Sequence, residues 1–348
     1  MKKTVLMLAV ALLAISCKPD NDGGTRLTCR FGSSVPEKVK ITIGEKWDTT
    51  VAVKGKVLKM ELPVMTANAA FVTADRQPIL FISDGSGIDI NVATHTASSD
   101  DPNSLTSRLN EFQRWEKDFG EKVESRIYKL YGQEKLAAMN ELLAEYNAHI
   151  LQVLEQNNDN FLGLLALSGL EPESDEQMLA ALNSLSDELK QNAYVRDNLL
   201  IYGAKVNTCV GKPFADFEVV QDAGSPTVRL SDYVGRGKYV LVDFWASWCI
   251  PCKGQMPYIR ETYEKHRGKK FDVVSIAVMD KPADSRRAAR ELGITWNLVV
   301  NADDPHLTHY GAEGIPFIIL FGPDGTILER DLHGQEIERA VAAALASK

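Results

Sequence analysis

The amino-acid sequence predicts a multidomain chain: an N-terminal antiparallel β domain, a central α-helical region and a C-terminal α/β domain. Three observations carry this. Short runs rich in β-branched residues, broken by Gly, Pro, Asp and Asn, fill residues 27–96. Between Pro102 and Pro172 there is no proline, and apolar residues recur at threes and fours. From Val210 onward, apolar runs alternate with helical patterns. The 348 residues leave room for two or three domains, and 45% hydrophobic with 25% charged residues is ordinary globular composition.

The chain opens with Lys2 and Lys3, an apolar run from Val5 to Ile15, and the small Ser16 before Cys17. That is the order of a secretory signal, and the run is too short to span about 30 Å of hydrocarbon. Ala14-Ile15-Ser16-Cys17 resembles the lipobox of bacterial lipoproteins, which implies that Cys17 becomes the acylated first residue. An ordinary secretory signal that happens to contain a cysteine is the alternative. Each buried methylene of an acyl chain contributes about 0.8 kcal/mol, so several chains on one cysteine suffice for anchoring. Lys18 to Gly24, with Pro19, Gly23 and Gly24, reads as a tether. Lys18 is not the Asp that holds well-studied lipoproteins at the inner membrane, so the resemblance implies the outer membrane, with its face left open.

In the β region the runs are VKITI, TTVAVKGKVL, AAFVTA, PILFI and GIDINVA, with Pro63 and Pro78 expected at strand ends or edges. Leu105 to Leu130 and Leu136 to Val153 each show one apolar helical face. Asp101 before Pro102 suits an N-cap, Gly132 suits the turn between the helices, and Ser174 with Gln177 suits a capping box for a helix through about Lys190. The aromatic residues on these faces read as packing. The expected boundaries are a signal over 1–16, a tether over 17–26, a β-rich domain over 27–96, a helical region over 97–206 and the α/β domain over 207–348.

A formal charge of -8 and a pI near 5.4 offer no electrostatic footprint for a polyanion, so nucleic acid is not an expected partner. Five cysteines are too few and scattered for a disulfide scaffold, yet Cys249 and Cys252 lie three apart, after the run YVLVDFWA and where a helix should start. Unpaired N–H groups and the dipole at a helix N-terminus favour the thiolate of Cys249. The gain in attack rate at neutral pH is only about threefold, because nucleophilicity falls as the thiolate fraction rises. The larger benefits are a better leaving group and intramolecular closure by Cys252. A structural zinc site lacks a second pair of ligands, and haem attachment would need His where Lys253 stands. His306 and His309 read as surface histidines, so no metal is expected. Cys29 and Cys209 are expected to be quiet buried thiols, with pairing left open.

VLVDFWASWCIPCK resembles the active-site segment of thioredoxin, and GIPFIILFGPDG resembles the segment carrying its cis-proline. VGKPFADFEV with VRLSDYVGRGKYV is similar to the N-terminal extension of the extracytoplasmic TlpA/ResA-like branch, and Asp280 to about Asn301 to that branch's insertion. The resemblance covers Val210 to Lys348; the regions ahead resemble lipoproteins that carry an uncharacterised N-terminal domain before such a redoxin. It implies a thioredoxin fold, Cys249 as the attacking thiolate, Cys252 as the resolving thiol, and both as the redox-active disulfide. Asp243 matches the buried acid that takes the proton of the resolving thiol; a solvated strand-edge residue is the alternative. Pro316 matches the cis-proline, with the backbone of Ile315 as an edge for substrate, and Trp248, Ile250 and Pro251 complete the expected substrate surface. Phe317 replaces the usual Thr and is expected to alter that contact. Pro257 inside the helix is expected to kink it.

The implied activity is that of a membrane-anchored thiol-disulfide oxidoreductase, and Pro251 before Cys252 favours reduction of substrate disulfides. Its expected partners are disulfide-containing envelope proteins and a thiol electron donor in the membrane. No cofactor is expected beyond the redox-active disulfide. The alternatives are a binding lipoprotein whose C-x-x-C senses redox state, and a thiol peroxidase acting through a sulfenate at Cys249.

Overall fold

Alternation along the first strands sets the N-terminal architecture. In β2 (Lys38–Ile43), Val39, Ile41 and Ile43 point inward while the lysines face water; in β1 (Thr25–Arg30), Leu27 and Cys29 do the same. The computed structural model describes residues 23–74, 77–221, 226–303 and 307–347, so the signal, Cys17, most of the tether and His306 lie outside the described residues. The remaining strands of this region are β3 (Trp47–Ala52), β4 (Val57–Leu62), β5 (Ala70–Thr73), β6 (Pro78–Phe81), β7 (Gly87–Asn91) and β8 (Thr96–Ser99). They form two four-stranded sheets, ordered β4-β1-β7-β8 and β3-β2-β5-β6. The ladders are antiparallel except that β1 runs parallel to β7. Side chains from both sheets share one core, including Leu27, Ile90, Ile41, Val72 and Phe81. The run TTVAVKGKVL is divided between the sheets, because the chain turns at Gly55 (φ +129°) and β3 and β4 take different partners. Pro78 begins an edge strand and Pro63 follows the end of β4, where no ladder donor is missed.

The helices follow as α1 (Leu105–Ile127), α2 (Gly132–Glu155), α3 (Phe161–Gly169), α4 (Asp175–Ser184) and α5 (Ala193–Asn207). Asp101 is not the cap of α1. Its carboxylate accepts from the Asn103 N–H in the preceding turn, and Ser104 caps the helix by accepting from the Ser107 N–H at 3.1 Å. Gly132, at φ +57°, opens α2. The buried face of α2 carries Ala138, Leu142, Asn147, Ile150 and Leu154, so Leu136, Met139 and Leu143 are exposed although they share the apolar period. Ser174 caps α4 as expected, with the Gln177 side chain returning to the Glu173 N–H. The helix ends at Ser184 rather than near Lys190: Leu185 is extended and Leu189–Gln191 form a separate 3-10 turn. Phe112, Trp115, Phe119, Tyr146 and His149 stack between α1 and α2. No helix among the described residues is long and apolar enough to cross a membrane.

The chain divides into two compact units, Met1–Leu199 and Leu200–Lys348. The second is built on a five-stranded sheet ordered β13-β12-β11-β14-β15, from β11 (Tyr239–Trp245), β12 (Phe271–Val278), β13 (Asn297–Ala302), β14 (Phe317–Phe321) and β15 (Ile327–Arg330). β12 lies parallel to β11 and β13, whereas β14 is antiparallel to β11 and β15. β9 (Glu218–Val220) and β10 (Thr227–Arg229) form a separate antiparallel pair. The helices are α6 (Ile250–His266), α7 (Pro282–Glu291) and α8 (Gln335–Ala346). The central strands are apolar on both faces, as strands covered on both sides require. One layer holds Leu241, Trp245 and Val273 with residues of α6 and α8; the other holds Val240, Val242 and Phe244 with Phe217 and Tyr310. The segment from Asp280 to Asn301 supplies α7 and most of β13.

Candidate active site

β11 delivers the chain to Ala246, and three residues later Cys249 becomes the N-cap of α6. Ile250 and Pro251 occupy the first helical positions, where proline's fixed φ fits and its missing N–H costs no bond. Cys249 and Cys252 are joined by a disulfide, and the Cys249 Sγ also accepts the Cys252 N–H at 3.1 Å. That donor and the helix dipole stabilise negative charge on Cys249 once the disulfide opens. The sulfurs are recessed, with Cys249 only 3% exposed and Cys252 fully buried. Around them the surface is apolar, with Trp248 at 57% and Ile250 at 80% exposure. Ile315–Pro316 is a cis peptide, and the Ile315 carbonyl lies 3.8 Å from the Cys249 Sγ. Pro257 lies within α6, which continues past it to His266.

The loop before Cys249 is fastened by residues that no sequence pattern singled out. Asp280 accepts the Ser247 N–H at 2.7 Å and its hydroxyl at 3.0 Å, and also the Ser285 hydroxyl at 2.8 Å. Trp248 Nε1 donates to the Met279 carbonyl at 3.0 Å, with Met279 at φ +51°. An acidic residue just before the proline that opens α7 is the local trace of this clamp; its partner thirty-three residues back is not a local feature.

Asp243 is fully buried in β11, which is paired on both sides, so it is not a solvated residue at a sheet edge. Its Oδ2 accepts the Ser275 hydroxyl at 3.0 Å, and Ser275 Oγ in turn accepts Trp296 Nε1 at 2.9 Å. Oδ1 has no hydrogen-bond partner. Desolvation pushes the carboxyl up to about 7, opposed in part by the Ser275 bond, which favours the charged form. Leu241 and Trp245, two residues to either side, belong to the same apolar layer as Cys249 and Cys252.

Phe317 does not line the disulfide. It is 5% exposed in the opposite layer, against Phe244 at 6.1 Å between ring centroids and under the Arg330 guanidinium, because it begins the buried strand β14. Trp245 is fully buried packing. Cys29 is a buried free thiol on β1, pushed up to about 12 by burial and then by the charge of Asp89. Cys209 is free and half-buried, more open than the sequence suggested. His309 is exposed, and no cluster of three or more His, Cys, Asp or Glu among the described residues is arranged to hold a metal ion.

The AhpC/TSA family model matches residues 210–330. The chain is 31% identical over 123 residues to the thiol-disulfide oxidoreductase ResA of Geobacillus thermodenitrificans, covering 35% of this chain and 69% of that protein. The ResA of Geobacillus kaustophilus is 30% identical over 138 residues, covering 39% of this chain and 78% of that one. A crystal structure of the thioredoxin domain of a thiol-disulfide oxidoreductase from Bacteroides vulgatus has 30% identity, covers 39% of this chain and 96% of its own, and gives a TM-score of 0.36. The family model spans the disulfide, and on the identity and coverage of the two ResA proteins the chain belongs to the ResA family of thiol-disulfide oxidoreductases, here with additional β and helical regions ahead of the thioredoxin-like domain.

Proposed function

We propose that this oxidoreductase reduces disulfides of cell-envelope proteins, with Cys249 attacking and Cys252 resolving, while acyl chains on Cys17 hold it to a membrane. The observation that carries the reading is the placement of Cys249: it caps α6, accepts the Cys252 N–H, and lies beside the Ile315 carbonyl beneath an apolar rim. In the reduced protein the Cys249 thiolate attacks one sulfur of the substrate disulfide, that S–S bond breaks, and the first substrate cysteine leaves as a thiolate. Asp243 takes the proton of Cys252. The Cys252 thiolate then attacks the Cys249 sulfur of the mixed disulfide and expels the second substrate thiolate. Two electrons pass to the substrate, and the Cys249–Cys252 disulfide of the structure is the product state.

Closure by Cys252 is intramolecular and one helical turn away, which keeps the mixed disulfide short-lived. Trp248, Ile250, Pro251, Ile315 and Pro316 form the surface against which an extended substrate segment is held. Electrons return by exchange with a membrane thiol donor, without a nicotinamide or flavin. The lipobox resemblance supports anchoring at Cys17, and Lys18 in place of Asp supports the outer membrane; the periplasmic face follows only from the proposed substrates, with surface exposure the alternative.

The first test is the midpoint potential of the Cys249–Cys252 couple in graded thiol buffers. A value near that of thioredoxin, about -270 mV, supports reduction; one near the strong oxidants, about -120 mV, reverses the direction. Anchoring is tested by partitioning of Cys17→Ser, which should move the protein from the membrane to the soluble fraction.

A further inference from the structure

The buried carboxyl of Asp243 has unequal oxygens, and the inequality is built by two residues outside the redox motif. Trp296, just before β13, can only donate, and it donates to Ser275 Oγ at 2.9 Å. The Ser275 hydroxyl has a single hydrogen, and that hydrogen goes to Asp243 Oδ2 at 3.0 Å. All three side chains are buried, with Asp243 and Ser275 fully so and Trp296 at 7% exposure. Val273 and Ala277, which flank Ser275, share the apolar layer with Trp296 and both active-site cysteines. Tyr263 of the cysteine-bearing helix packs on the Trp296 ring with centroids 5.4 Å apart, so α6 braces the donor at the head of the chain.

We propose that Ser275 and Trp296 are positioning residues for thiol exchange: their one-way chain of hydrogen bonds occupies Oδ2 and leaves Oδ1 as the atom that takes the proton of Cys252. The inference rests on the oxidoreductase reading above. A proton on Oδ2 would set two hydrogens against each other, or deprive the Ser275 hydroxyl of its acceptor. A proton on Oδ1 meets no competing donor, because that oxygen has no partner in the disulfide form. The proton moves once: the Cys252 S–H bond breaks and an O–H bond forms at Oδ1, and the electron pair left on sulfur makes the bond to Cys249 as the Cys249–substrate S–S bond breaks and the substrate sulfur leaves as a thiolate. When the disulfide is reduced again, the same proton returns.

Asp243 lies between Leu241 and Trp245, which belong to the layer holding Cys249 and Cys252 and touched by Tyr263, and its ladder neighbours are Ser275 of β12 and Ile318 of β14. The charged residues of these elements turn elsewhere: Asp272 pairs with Lys238, Arg260 donates to the Leu292 carbonyl, Lys265 and His266 meet Glu338 of α8, and Lys253, Glu261 and Glu264 are exposed. The Ser275 bond is therefore the main influence that can be altered without changing burial.

The test uses the full chain in wild-type, Ser275→Ala, Ser275→Thr and Trp296→Phe forms, with folding checked by thermal melts. Two readouts are taken across pH 5 to 9: the Asp243 carboxyl band by infrared difference spectroscopy, and the decay of a Cys249 mixed disulfide with a cysteine peptide. Removing the Ser275 hydroxyl should raise the Asp243 midpoint by about one pH unit, and the rise of the resolving rate with pH should move by the same amount. At pH 7 that corresponds to a resolving rate lower by about fivefold, recovering at alkaline pH. Trp296→Phe should move both in the same direction by less, and Ser275→Thr should restore them. A folded Ser275→Ala protein with either readout unmoved, or one slowed equally at every pH, overturns the proposal; if Ser275→Ala does not fold, Trp296→Phe decides on the same criteria. Failure of the reduced wild type to reduce the peptide disulfide and of Cys252→Ala to trap a mixed disulfide, with the carboxyl midpoint still moving in Ser275→Ala, would instead overturn the oxidoreductase reading and uphold the order of hydrogen bonds.

Discussion

Asp280 holds Ser247 by two bonds at once, accepting its backbone N–H at 2.7 Å and its hydroxyl at 3.0 Å. Ser247 precedes Trp248 and Cys249, so this carboxylate sets where the chain enters α6 and how the recessed sulfur meets its apolar rim. A third bond, from Ser285 at 2.8 Å, ties the same carboxylate to α7.

Replacing Asp280 by Ala should therefore loosen the approach to the disulfide. Hydrogen bonds to a charged acceptor contribute about 1.5–3 kcal/mol each where desolvated, and Asp280 is half-buried, so a stability loss of about 2 kcal/mol is expected in urea titrations. Exchange with a substrate disulfide should slow as well, and Asp280→Asn, which keeps one acceptor oxygen, should recover part of both. Unchanged stability and exchange in Asp280→Ala would remove the clamp from the account.

Asp243 gives a pH signature. In the unfolded chain it loses its proton near pH 4, and in the folded chain at about 7. Between those values the folded state binds more protons, so stability falls as pH rises through the window and levels off above it. Asparagine cannot ionise. Oxidised Asp243→Asn should thus match the wild type below pH 4 and exceed it above pH 7, by up to about 4 kcal/mol. Denaturant midpoints at several pH values measure this, and equal stability at pH 8 would contradict the raised titration.

The two cysteines should separate by phenotype. Cys252→Ala should accumulate a mixed disulfide through Cys249, visible by mass spectrometry under non-reducing conditions. Cys249→Ala should form none, since Cys252 is fully buried behind the first turn of α6. Adducts at Cys252 in the Cys249→Ala protein would exchange the assigned roles.

Phe317 should report on packing and not on substrate. Truncating a buried Phe costs about 3–5 kcal/mol, so Phe317→Ala is expected to lower the melting temperature sharply. The Michaelis constant for a peptide disulfide should stay unchanged while the protein remains folded. A change confined to substrate affinity would show that the side chain reaches the disulfide.

The disulfide pair, the helix start behind it and the buried acid were legible because each is written within a few residues. An apolar run ending at Trp245, two cysteines one turn apart and a proline between them are local features, and local sterics and helix-end hydrogen bonding determine what they form. The alternating inward residues of β2 and the apolar period of α1 were legible for the same reason: strand and helix place side chains at fixed intervals. Period alone does not say which of two apolar faces is covered, and so Leu142 and Ile150 are buried while Leu136 and Met139 are exposed. Nor does it say which sheet a strand joins: β3 and β4 share one run and part at Gly55.

The residues around the redox pair mark the same division. Sequence alone determined that Cys249 and Cys252 stand where a strand gives way to a helix, with Asp243 in the preceding strand. Only the tertiary structure decided that Ser275, Trp296 and Asp280 act on them, since these come from β12, the approach to β13 and the start of α7. It also decided that Phe317 turns from the disulfide into the other layer. The physical reason is range: backbone preference acts over one or two turns, whereas a hydrogen bond between residues thirty apart forms only where packing brings the strands together.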